Sequence, residues 1–138
     1  MKKILLILTL ALLAGFSSKA QDDGNDKIRD KMREFIQRRL DLTRNEAERF
    51  TPVFIRYFRE WKQTLVENRN DGLVRQQRII ELRLRYRTEF RDIVGEKRSN
   101  DVYKQQDVFI REIKEMREEQ IKARRADRPT KGFRTLIQ

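Results

Sequence analysis

Between Ala47 and Leu65 the apolar residues return every three or four positions, as Ala47, Phe50, Phe54, Tyr57, Phe58, Trp61 and Leu65. At about 100° per residue these side chains share one face of an α-helix. Similar spacing recurs before and after this stretch, and nowhere does polar alternate with apolar long enough to build a sheet. Only five Gly and two Pro interrupt a chain of 138 residues. Such stripes are buried helix against helix, so the expected fold class is all-α, with four amphipathic helices.

The first helix is expected from about Asn25 to Leu40, on Ile28, Met32, Phe35, Ile36 and Leu40. Thr43 with Glu46 three places later then forms a capping box: the Thr hydroxyl accepts from a backbone N–H of the first turn and the Glu carboxylate reaches back. Leu42, just before the cap, is placed for a hydrophobic staple. The second helix is expected from Arg44 to about Arg69, and its aromatic stripe, Phe50, Phe54, Phe58 and Trp61, reads as core or dimer packing. Pro52 lies within it and removes one N–H, which predicts a bend rather than a break. Asn68 to Gly72 is the clearest turn signal. A third helix is expected from Leu73 to about Lys97, on Ile79, Leu82, Tyr86, Phe90 and Ile93, with Glu81, Arg85 and Glu89 spaced for an ion-pair ladder. Ser99 or Asn100 can cap a fourth helix carrying Val102, Phe109, Ile113 and Met116, flanked by Tyr103 and Ile110.

The first twenty residues read differently. Lys2 and Lys3 precede an apolar run from Ile4 to Phe16, and Ser18-Lys19-Ala20 supplies small residues at a cleavage position. The run is far short of the roughly 20 residues of a bilayer span, so residues 1–20 are expected to be a secretory signal peptide cleaved after Ala20, giving a periplasmic protein. With no Cys, lipoprotein processing is excluded. Residues 21–126 then form the helical domain, and 127–138, with Pro129 and Gly132, a flexible basic C-terminal tail. Losing Lys2, Lys3 and Lys19 takes the net charge from +11 to +8.

Chemistry has little to work with. The chain has no His and no Cys, two of its three Ser (Ser17 and Ser18) fall in the signal peptide, and Ser99 has no base beside it in sequence. Adjacent carboxylates such as Asp22-Asp23 and Glu118-Glu119 do not face each other on a helix. The expectation is therefore no enzyme, no metal site and no cofactor.

Each long helix instead carries a second, weaker apolar stripe mixed with positive charge. On the second helix Ile55 and Val66 share a face with Arg59 and Lys62; on the third, Leu73, Ile80 and Leu84 lie beside Arg83, Arg87 and Arg91. Long-range charge can draw in acidic or partly unfolded chains, and aliphatic contacts can then hold them. Ile55, Arg59, Lys62, Ile80, Arg83, Leu84, Arg87 and Arg91 are accordingly the candidate client-binding residues. The competing reading is a solvated face whose long side chains only cover apolar surface.

An exported helical chain with Leu42-Thr43 and Glu46 resembles the Spy/CpxP group of Gram-negative envelope proteins, marked by an LTxxQ motif. Phe50-Thr51-Pro52-Val53-Phe54, with Tyr57 after it, resembles a stretch in exported Bacteroidetes proteins labelled sensors of extracytoplasmic sigma factors. The resemblance covers residues 42–57 in sequence and most of the mature chain in layout. It implies an elongated, bent helical hairpin that forms a cradle-like homodimer and acts as an ATP-independent chaperone or an envelope-stress regulator. Glu46 stands where the motif has Gln, and no second Leu-Thr pair opens the last helix. Two other functions are compatible with these features: a regulator docking on the exported domain of a membrane-anchored sensor or anti-sigma protein, and a binder of anionic lipid or lipopolysaccharide through the charge and Phe133, Leu136 and Ile137. Nucleic acid is not an expected partner, because no groove-reading motif is present.

Overall fold

A computed structural model describes residues 24–128, and all regular structure among them is helical. The helices are α1 (24–39), α2 (Arg44–Glu67), α3 (Gly72–Val94) and α4 (Glu96–Ala126). The expected signal peptide and the tail from residue 129 lie outside the described residues.

Local chemistry sets the turns. At the end of α1 the N–H of Leu42 donates to the Gln37 carbonyl and that of Asp41 to the Arg38 carbonyl, each at 3.1 Å. This is a Schellman closure with Asp41 left-handed at φ 49°. Two residues later the capping box is formed in both directions: Glu46 N–H donates to Thr43 Oγ1 at 3.2 Å and Thr43 N–H to Glu46 Oε1 at 3.1 Å. The α2 helix runs unbroken through Pro52 to Glu67. Asp71 caps α3, its Oδ1 accepting from the N–H groups of Leu73 and Val74 at 3.1 Å each.

The boundary between α3 and α4 differs from expectation. The α3 helix ends at Val94, Gly95 follows with φ 87°, and α4 has begun by Glu96. Glycine takes that backbone angle without a Cβ clash, so it ends the helix cleanly. Ser99 is no cap. It is fully buried inside α4, and its hydroxyl donates to the Glu96 carbonyl at 2.6 Å.

Residues 24–106 form one compact unit and the chain from Asp107 a second. In the first unit α1 runs antiparallel to α2, because Gln37 Nε2 donates to Thr51 Oγ1 at 3.3 Å while Asn25 meets Lys62 at the other end. The α2 and α3 helices are likewise antiparallel: the Phe50 ring lies 5.2 Å from Phe90, and Tyr57 lies 5.5 Å from Tyr86. The start of α4 adds Tyr103, 5.5 Å from Tyr57 and 6.0 Å from Phe90. Met32 and Ile36 of α1 and Leu40 just after it are buried; Ile28, expected in the same stripe, is exposed.

The ion-pair ladder along α3 is not formed. Arg85 pairs with Glu60 at 3.3 Å and Glu89 with Arg56 at 2.7 Å, both on α2, while Glu81 pairs with Arg78 at 3.2 Å. Close packing of α2 on α3 offers cross-helix partners that a single helix does not. In the second unit Phe109 is buried, Ile110 and Ile113 are half-buried, and every described side chain after Ile113 is exposed.

Candidate protein-binding surface

The α3 helix has two apolar faces. Leu82, Tyr86, Phe90 and Val94 are buried, whereas Leu73, Ile80 and Leu84 are 81%, 58% and 51% exposed. At 3.6 residues per turn these three share a row about 140° round the helix from Leu82, Tyr86 and Phe90. The row continues into half-buried Arg87 and exposed Arg91. Solvent thus meets an aliphatic strip at one end of α3 and positive charge at the other.

Arg83 does not belong to that surface. Its Nε donates to the Tyr57 hydroxyl at 3.3 Å and its Nη2 to Gln106 Oε1 at 3.0 Å. Tyr57 donates to the same Gln106 oxygen at 2.5 Å, and the guanidinium lies 5.2 Å from the Tyr103 ring centre. The Tyr103 hydroxyl in turn donates to the Arg83 carbonyl at 2.7 Å. A charge held in this way ties α3 to α2 and to the start of α4. It is a structural arginine, although sequence spacing groups it with Arg87 and Arg91. Gln106 is fully buried, and its Nε2 finds no partner among the described residues. Burial raises the pKa of Tyr103, with a smaller contribution from neighbouring Tyr57. Tyr86 is pushed up to about 12 by desolvation and by its hydrogen bond to Glu60.

The residues named on α2 lie elsewhere. Ile55, Arg59 and Lys62 line a groove of about 270 Å³ with Phe58 and with Asn25, Asp26 and Arg29 of α1. Lys62 Nζ donates to Asn25 Oδ1 at 2.5 Å, and Arg29 is held by Asp26 at 3.0 Å. This is the side of α2 turned to α1, away from the side that meets α3. The sequence-derived surface therefore separates into an α1/α2 groove (Ile55, Arg59, Lys62) and an outward α3 row (Ile80, Leu84, Arg87, Arg91), with Arg83 in neither. Phe50 and Phe54 are fully buried, Phe58 is nearly so, and Trp61 is half-buried 5.7 Å from Phe58.

The stretch Leu42-Thr43…Glu46 forms a joint as well as a cap. Both Glu46 carboxylate oxygens pair with the guanidinium of Arg98, one at 3.2 Å and the other closer. Arg98 also donates to the Val94 carbonyl at 2.8 Å and to the Leu40 carbonyl at 3.4 Å. One side chain thereby links the end of α1, the start of α2 and the junction of α3 with α4. The Arg98 hydrogen bond and then the Thr43 backbone N–H hold the Glu46 carboxyl below its ordinary value. A Gln here would keep the cap but lose the charge pair with Arg98. Sequence reading missed Arg98 because its partner is 52 residues away.

Among the described residues no cluster of three or more carboxylate, imidazole or thiolate groups is gathered that could hold a metal ion. Comparison with protein-family models, with curated proteins and with solved structures finds no match.

Proposed function

We propose that this protein is an exported, periplasmic, ATP-independent chaperone that holds unfolded or acidic client proteins, in the manner of the Spy/CpxP group that it resembles. The observation that carries the reading is the outward row on α3, where Leu73, Ile80 and Leu84 stand exposed on a fully formed helix and lead into Arg87 and Arg91. Exposed aliphatics in a row mark an interaction surface more than scattered ones do. Adjacent arginines favour acidic partners and speed their capture at low salt. The α1/α2 groove, with Arg59 and Lys62 over Ile55 and Phe58, offers a second contact of the same chemistry. A cradle-like homodimer is the assembly the resemblance implies, and it would present these surfaces twice.

The test is light scattering from several unrelated proteins as they unfold, with and without the purified protein, in the absence of ATP and at two salt concentrations. The proposal expects suppression across clients that weakens as salt rises. Failure to suppress any client contradicts it and points to a dedicated regulator with one partner, such as the exported domain of a sensor or anti-sigma protein. Suppression that salt leaves unchanged removes the electrostatic step.

A further inference from the structure

The residues that bury the first half of α4 fall in a row that continues through its second half. Ser99, Val102, Gln106 and Phe109, spaced three, four and three apart, are all buried. Ile113, Met116, Gln120 and Ala123 extend the same alternation of four and three. Ile113 is half-buried, Met116 is 53% exposed, and Gln120 and Ala123 are exposed. A spacing averaging 3.5 residues is the pattern of a coiled-coil seam.

Charge beside the seam specifies the occupant and its direction. With Ile113 and Gln120 at the a positions and Met116 and Ala123 at the d positions, the g positions hold Glu112 and Glu119 and the e positions Arg117 and Arg124. In a parallel pair each g residue faces the e residue five places on in the other chain. Glu112 then meets Arg117 and Glu119 meets Arg124, and both contacts are attractive. An antiparallel pair would set g beside g and e beside e, which here means Glu against Glu and Arg against Arg.

We propose that two copies of this chain pair in parallel and in register through residues 112–124 of α4. The segment is already helical, so pairing carries no nucleation cost. The seam is short and its small Ala123 buries little, which makes the association reversible. A polar residue at a single a position, here Gln120, fixes register at some cost in strength. The proposal goes beyond the chaperone reading and stands whether or not clients bind.

Cysteine cross-linking tests it directly, because the chain has no Cys of its own. Met116→Cys and Ala123→Cys, made singly in the full chain and mildly oxidised, should each yield a disulfide dimer, since in a parallel pair a d residue faces its own copy. Glu115→Cys, off the seam, should not. Cross-linking at only one of the two d positions, or at neither, overturns the proposal. Sedimentation supplies an independent arm: Arg124→Glu should weaken self-association at least about fivefold, and Glu119→Arg with Arg124→Glu should restore it, with circular dichroism confirming helix content. Self-association unchanged by Arg124→Glu, or not restored by the double exchange, contradicts the proposal.

Discussion

The inner and outer faces of α3 both carry apolar residues at helical spacing, and they have opposite fates. Inside, Leu82, Tyr86, Phe90 and Val94 are buried, with the Tyr86 and Phe90 rings against Tyr57 and Phe50 of α2 and Phe90 also beside Tyr103 of α4. Outside, Leu73, Ile80 and Leu84 remain exposed. Period alone does not decide which stripe is core. The inner stripe wins because its rings meet Phe50 and Tyr57, and large aromatics bury more area per residue than isolated aliphatics do. The outer stripe, with no ring among Leu73, Ile80 and Leu84, stays in solvent.

The contrast is sharpest by substitution. Phe54→Ala removes a fully buried ring and should cost about 3–5 kcal/mol, whereas Ile80→Ala on the outer face should stay within about 0.5 kcal/mol. Urea unfolding of the two variants compares them directly, and similar losses would break the distinction between the faces.

The arginines provide the next test, because Arg83 and Arg91 stand at helical spacing yet differ in role. Arg83→Met withdraws the guanidinium from the Tyr57 hydroxyl and Gln106 Oε1 inside the unit. It should cost about 1–3 kcal/mol, against roughly 0.5 or less for Arg91→Met. Equal effects would return Arg83 to the surface.

At the helix start, Thr43→Ala removes the acceptor for the Glu46 N–H and should cost about 1 kcal/mol, read from the same unfolding curves. The subtlest effect concerns acid. The Glu46 pKa is lower in the folded chain than its ordinary 4.5, so the stability it adds is fully present above that value. It is lost as pH falls through the folded pKa, when Arg98 and the Thr43 N–H lose their anionic partner. Glu46→Gln should therefore flatten the acid limb of stability against pH, leaving other carboxylates to supply what slope remains. A limb identical to that of the unmodified protein would mean that the Arg98 pair does not act on folding.

Features set by neighbours in sequence were legible in advance. The α2 stripe, the Met32, Ile36 and Leu40 part of the first helix's stripe, the capping box at Thr43 and the turn from Asn68 to Gly72 all depend on residues within a few positions of each other. The stop at Gly95 was equally local, since a glycine follows Ile93-Val94. Ser99 and Asn100 nevertheless carry cap chemistry and draw the boundary too late. Burial of Ser99 depends on packing, which spacing does not reveal. Arg83 and Arg98 were illegible for the same reason: Gln106 is 23 residues from Arg83, and Glu46 is 52 from Arg98. On the candidate surface, composition picked out basic and aliphatic residues on both helices. It joined two separate faces, because only the fold places Ile55, Arg59 and Lys62 beside α1.

The most direct measurement is client protection by a variant altered only on the outer face of α3, carrying Ile80→Ser, Leu84→Ser and Arg91→Glu. With helix content and unfolding midpoint near those of the unmodified protein, the account predicts that aggregation of unfolding clients is no longer suppressed. Full suppression by this variant would contradict it, and the outer face of α3 would be solvated surface.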